Sequence, residues 1–299
     1  VTRTSAGVLI VLTAVIWQGV GTAVVGLTVG PSESTVVTFA AFATAALISA
    51  AARLTTRGIG DKSTAPKMSW REVLLLNLVT VGAFGTFYVA ATLVPPTAAS
   101  VTEFSIAPLL VALLSGAPRR QFIQPILILT IAAIIVTLTI SGTTAEPGPT
   151  SAGIALAVVA GAGAAGVLLT SRHLTQRGFS ALQIAVSRFH LTWALTAMLA
   201  IPTILGSDPQ DLMSTAAIGV LCIGLPILLL QWGITICPPL PAALLLTMVP
   251  AVVWFSESAF TLSWSPGHVP AMCALVAVAV LGTLHSSSNR QSVAQKEQR

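Results

Sequence analysis

Two ionisable residues stand where charge is expensive. Glu103 lies in SVTEFSIAPLL (100–110) and Arg188 in VSRFH (186–190), and both stretches belong to long apolar runs. An ionised side chain at the centre of a membrane helix costs about 2.5–3.5 kcal/mol on insertion scales, so each is expected to face the protein interior or a wet cavity. A carboxyl there can carry a proton, hold a substrate amine or bond a neighbouring helix. A guanidinium offers a planar fork to a carboxylate or phosphate, although one two turns from a helix end can also reach the headgroups. With Glu103 about two turns from one face and Arg188 about two turns from the other, roughly 10 Å of depth separates them by helix rise. Long side chains could pair across that depth, or the two could serve opposite gates.

Other polar and aromatic residues interrupt the apolar runs: Trp17 with Gln18, Tyr88, His190, and Gln231 with Trp232. Amide and indole donors in a cavity orient a small ligand. The same groups also bond between helices or anchor at the membrane interface. His190 follows Arg188 by two positions, so the two do not share a helix face, and a hydrogen-bonded core histidine is the plainer reading. Glu257 falls near the end of its run, where it is hydrated or guards an outer gate. Pro108, Pro226 and Pro250 sit inside runs; each removes a backbone donor and tends to kink its helix. Kinks at Pro108 and Pro250 would let helix ends move as gates.

Catalytic chemistry finds little here. No HExxH and no paired acids at a membrane face occur, and the Ser187–His190 spacing has no acid in its run to orient the imidazole. Cys222, Cys237 and Cys273 show no metal-ligand spacing and read as small buried hydrophobes. No cofactor, metal or enzymatic activity is expected. GAGAAG (161–166) reads as close helix packing rather than a phosphate loop, because no strand precedes it.

These residues need an apolar scaffold, and the composition supplies one. Of 299 residues, 55% are hydrophobic and only 8% charged, against about 25% charged in soluble domains. Mean hydropathy is +0.91. Such a surface must meet lipid, where every backbone N–H and C=O is paired internally in helices or a closed barrel. The apolar runs are about as long as a spanning helix needs and lack strand alternation. Ten are seen, at 6–27, 34–52, 72–93, 96–117, 122–140, 151–172, 181–205, 214–236, 239–260 and 269–285. The first is read as a retained span rather than a cleaved signal.

Charge orients the ten. Thirteen of the fourteen Lys and Arg residues fall in alternate loops or the termini on one side: Arg3, Arg53 to Arg71, Arg119 and Arg120, Arg172 and Arg177, and the tail from Arg290. The opposite loops hold only Glu33, Glu146, Asp208 and Asp211. The positive-inside rule then places both termini in the cytoplasm. The basic residues form no single patch, so nucleic acid is not an expected partner.

The runs also repeat. FYVAATLVPPTAASV (87–101) aligns with LQWGITICPPLPAAL (230–244): Thr92 meets Thr235, the Pro95 and Pro96 pair meets Pro238 and Pro239, and Ala99 meets Ala242. Phe42 likewise stands opposite Phe189. Each half holds five helices, and an odd number forces the second half to run inverted. The division expected is 1–145, 146–286 and a disordered cytoplasmic tail, 287–299.

With ten helices in two halves, short third-to-fourth and eighth-to-ninth connections, and small-residue stretches leading to a mid-helix proline (100–114 and 243–253), the chain resembles the drug/metabolite transporter superfamily in its EamA-like branch. Trp17 and the Arg188–Phe189 pair also match family positions. The chain departs from the family in carrying no acid in GAPRRQ (116–121) or TLSWS (261–265). The resemblance implies an all-α membrane protein of two inverted five-helix repeats, a substrate pathway between them and alternating access. Many relatives export amino acids or other metabolites, often against proton flow. The expectation is therefore a small-metabolite exporter, monomeric or homodimeric, in a bacterial cytoplasmic membrane, with proton coupling open. An intramembrane enzyme or a channel-like or scaffold subunit is the alternative.

Overall fold

The computed structural model describes residues 3–30, 33–57, 68–141, 147–262 and 264–297. Among the loop and tail charges read above, Lys62, Lys67, Glu146 and Arg299 lie outside the described residues. The described chain is helical throughout, with no strand among the described residues. Ten helical segments follow the ten apolar runs: α1 (Arg3–Thr28), α2 (Ser34–Arg57), α3 (Trp70–Leu93), α4 (Pro96–Leu114), α5 (Ile123–Ser141), α6 (Pro147–Gln176), α7 (Ala181–Gly206), α8 (Pro209–Ile236), α9 (Pro239–Thr261) and α10 (His268–Glu297). Among the described residues nine are long and apolar enough to cross a membrane, and the apolar part of α10 is the shorter His268–Leu284. Leu47, Leu54, Leu199 and Leu205 point outward, each at least 65% exposed, as a lipid-facing surface requires. The chain is an all-α, multi-pass membrane protein.

Local chemistry sets the helix starts. Ser69 and Ser180 each open a helix with a reciprocal capping box, paired with Glu72 and Gln183. Asp208 accepts from the Gln210 N–H at 2.9 Å, and Pro96, Pro209 and Pro239 occupy first-turn positions, where the missing N–H costs nothing. The repeated PP sequences make matching turns. Val94 and Cys237 are extended cap residues, and after the turn Ala99 N–H bonds Pro95 O at 3.1 Å while Ala242 N–H bonds Pro238 O at 3.0 Å.

Three helices are less regular than their hydropathy suggests. α7 breaks at Phe189 and α9 at Thr247 and Met248, just before Pro250. α8 carries a π-turn at Val220–Gly224, where Leu225 N–H reaches Val220 O immediately ahead of Pro226. α4 stays one α-helix through Pro108, so the three prolines do not act alike. α10 continues to Glu297, through most of the stretch 287–299. Its sequence NRQSVAQKE holds no Gly or Pro to stop a helix.

Packing is close where glycines allow it. α6 lies against α3 and α4, and α1 against α8 and α9. α2 pairs with α7, α5 with α10, α4 with α5, α9 with α10, and α4 with α9. A Cβ on Gly163 would strike the backbone of Gly82 and Ala83, and one on Gly161 the carbonyl of Glu103. GAGAAG is therefore a packing face, as its composition implied. Gly21 and Gly219 do the same for the π-turn of α8 against α1 and for α8 against α2, meeting Cys222 O and Val37 O.

Candidate functional site

Between α1, α3, α4, α8 and α9 the bundle leaves a small pocket of about 40 Å³. α1 contributes Gln18, Thr22 and Val25; α3 contributes Phe84, Phe87 and Tyr88; α4 contributes Ser100, Glu103 and Phe104. Ile223 of the π-turn and Val249, just past the α9 break, close the wall. Two local irregularities thus meet at the cavity. Glu103 is 4% exposed and lies seven residues inside α4, about 10 Å from its start by helix rise. Its carboxyl has neither hydrogen bond nor ion pair among the described residues. Among the described residues an ion pair joins Arg177 to Glu72, tying the end of α6 to the start of α3.

Arg188 is 2% exposed and does not line the pocket. Its Nε donates to Thr80 Oγ1 at 3.1 Å, and a terminal nitrogen donates to Gln231 Oε1. The guanidinium carbon stands 5.6 Å from the Phe84 ring centroid and 5.2 Å from that of Phe189. Phe42 packs on both rings, at 5.1 and 5.8 Å between centroids. Phe84 therefore divides the guanidinium from the pocket. Neither pairing with Glu103 nor snorkelling to the headgroups occurs; Arg188 ties α7 to α3 and α8.

The α7 break has a specific cause. In an unbroken helix the Leu191 N–H would bond Ser187 O. Here Leu191 N–H donates to Asn77 Oδ1 at 2.9 Å, and Asn77 Nδ2 donates to Ser187 O at 2.7 Å and Val73 O at 2.8 Å. The Asn77 carboxamide is inserted into the helix ladder, with Phe189 at φ −100°, ψ 1° beside it. A polar group from another helix entering the ladder is a recognised cause of helix distortion.

Of the eight residues read as candidates, Gln18, Tyr88 and Glu103 come together at the pocket. Arg188 and Gln231 form the polar network behind Phe84. Trp17, His190 and Trp232 are exposed, Trp17 by 40% and Trp232 by 58%. These three do not line the pocket. Adjacent helical residues diverge by about 100°, so the partner of an inward Gln18, or of an inward Gln231, must turn away. Asn77, Thr80 and Phe84 were missed, although with Tyr88 they fall at one-face helical spacing on α3. Glu257 is half-buried; Thr97 Oγ1 donates to its Oε2 at 3.4 Å across α4 and α9.

No family model and no curated protein matches the chain. Among solved structures, 18 chains match it. One crystal structure superposes with a TM-score of 0.67 at 19% identity, covering 94% of this chain and 97% of its own. The complete ten-helix arrangement is therefore a fold shared with a protein of nearly equal extent.

Proposed function

We propose that the chain is a secondary transporter, an exporter of a small metabolite by alternating access, and that it belongs to the EamA-like branch of the drug/metabolite transporters. The observation that carries this reading is the pocket, where a buried acid without an ion-pair partner among the described residues and an amide lie between helices of the two halves. Intramembrane acids mark substrate or ion pathways, and sites at the interface of repeats are the ground plan of many secondary transporters.

The contact pattern supports two inverted repeats. Exchanging each helix for the one five positions on turns the α3 and α4 contacts of α6 into the α8 and α9 contacts of α1. It turns α4 with α5 into α9 with α10, and leaves α2 with α7, α5 with α10 and α4 with α9 as self-paired seams. The matching PP turns and the mid-helix prolines agree with that exchange. The basic loops favour a cytoplasmic location for both termini in a bacterial inner membrane.

Counterflow in proteoliposomes with labelled amino acids and related amines tests this function. Accumulation of label driven by unlabelled substrate inside is expected. Substrate conversion without movement, or no counterflow for the whole panel, would refute it.

A further inference from the structure

We propose that His268 is a proton-operated latch. It joins α5, α9 and α10 at the end of the bundle away from the basic loops, and an imidazolium there clamps the three more tightly than a neutral ring does. The latch lies outside the pocket and does not depend on what the pocket holds or on transport.

The imidazole is held on three sides. Its Nε2 lies 3.2 Å from Thr139 Oγ1 on α5, and its Nδ1 lies 2.9 Å from Ser265 Oγ. The Thr139 hydroxyl already donates to Ile135 O at 2.8 Å. Thr139 therefore accepts from the ring, so the neutral imidazole carries its proton on Nε2 and Nδ1 accepts from Ser265. The ring stacks on Trp254 of α9, with 6.1 Å between centroids and 21° between planes. Trp254 is buried, and Trp264 meets it edge-on at 5.8 Å.

A proton added at Nδ1 breaks none of these contacts. Ser265 is exposed, so its hydroxyl can turn to accept from the new N–H while its own proton goes to water. Both hydrogen bonds then become charge-assisted, roughly twice as strong as neutral ones. The ring becomes a cation over an indole, the best of the cation–π faces. His268 is half-buried, which opposes the charge; two oxygen acceptors and the indole offset that. Histidine changes charge between about pH 5 and 8. The surrounding elements bring few other ionisable groups. α5 has none, and neither does the connection 262–267. α9 has only Glu257, three residues past Trp254 and bonded by Thr97. Along the apolar part of α10 only Cys273 accompanies His268.

The latch closes a strained connection. Residues 262–267 join α9 to α10, and Leu262 opens them at φ 53°, ψ 25°, a left-handed conformation that a bulky side chain rarely adopts. Its side chain is 84% exposed. Strained backbone persists where neighbouring structure holds it. His268 holds the far end twice, through its own N–H on Ser265 O at 3.1 Å and through its ring on Ser265 Oγ. Acid on that side of the membrane would thus keep the ends of α5, α9 and α10 together.

Hydrogen exchange of the full chain in an uncharged detergent tests the latch. The amides from Met272 onward are the first that bond back within α10. Once corrected for the intrinsic pH dependence of exchange, their protection is expected to rise about fivefold from about pH 7.5 to about pH 5.5. His268→Gln keeps a donor and an acceptor but takes no charge, and is expected to show no rise. Glu257→Gln is expected to keep the rise. Should His268→Gln fail to fold, Thr139→Val replaces it: the Nε2 acceptor is lost, the shape is kept, and the rise is expected to fall by at least about half. A native chain without a rise overturns the latch. So does a full rise in His268→Gln or Thr139→Val, or its loss in Glu257→Gln, since the titrating group then lies elsewhere. An equal rise at the amides of α2, which packs on α7 and α8, would be a global effect of acid and overturns it too.

Discussion

Replacing Arg188 by Met probes whether this residue organises the bundle or serves a ligand. The guanidinium is 2% exposed and donates to Thr80 and Gln231. Thr80 also donates to Leu76 O at 2.6 Å, so losing Arg188 leaves no orphan proton there. Gln231 is worse placed. It is 1% exposed and its Nε2 already lacks a partner, so the substitution leaves both ends of its carboxamide unpaired. A hydrogen bond to a charged group contributes about 1.5–3 kcal/mol, well above the ~0.6 kcal/mol average of polar contacts between membrane helices. Removing a buried charge recovers part of its desolvation, and Met refills much of the volume. The expected net loss is about 2–4 kcal/mol. Gln231→Leu alone strands the guanidinium and should cost a similar amount. The double variant removes both partners and should return to within about 1 kcal/mol of the native chain. SDS titration in mixed micelles, read by the fluorescence of the six tryptophans, measures all four corners. Additive losses within about 0.5 kcal/mol would refute the coupling.

Asn77→Leu should cost about 1–3 kcal/mol and change hydrogen exchange at the Leu191 amide; unaltered exchange there would mean the carboxamide is not its partner. Gly163→Val should destabilise by about 1–3 kcal/mol, because the new Cβ meets the Ala83 backbone. Gly148→Ala, with nothing within 4 Å of the added carbon, should stay within about 0.5 kcal/mol; equal midpoints for the two would contradict the α3–α6 packing. His190→Ala and Trp232→Phe should leave counterflow within about twofold of native, since both side chains are exposed; a tenfold loss in either would return that residue to the pathway. Glu103→Gln should abolish pH-driven uptake, and retained uptake would remove Glu103 from coupling.

The helices were legible because hydropathy follows the bilayer: a spanning segment must be apolar for about 20 residues, whatever surrounds it. GAGAAG was legible for a related reason, since small residues on a membrane helix mark close approach. The α7 break was not. Residues 181–201 hold no Gly or Pro, and the cause sits on α3, in Asn77. Its signal was present as a lone amide in an apolar run, in register with Thr80, Phe84 and Tyr88. Glu103 and Arg188 were legible as buried charges but not as separate ones. Their separation depends on Phe84 standing between the guanidinium and the cavity, a tertiary placement that spacing does not encode. Trp17 and Trp232 stand beside Gln18 and Gln231 but face outward, because adjacent helical residues diverge by about 100°.

The central claim is that substrate crosses between the two halves of the bundle, so that α4 and α9 must part where Thr97 bonds Glu257. Thr97 and Glu257 face each other there at 3.4 Å. With Cys222, Cys237 and Cys273 replaced, cysteines at 97 and 257 joined by a short methanethiosulfonate crosslinker would hold that end shut. Counterflow should fall to background and return on reduction; full counterflow by the crosslinked protein would contradict the account.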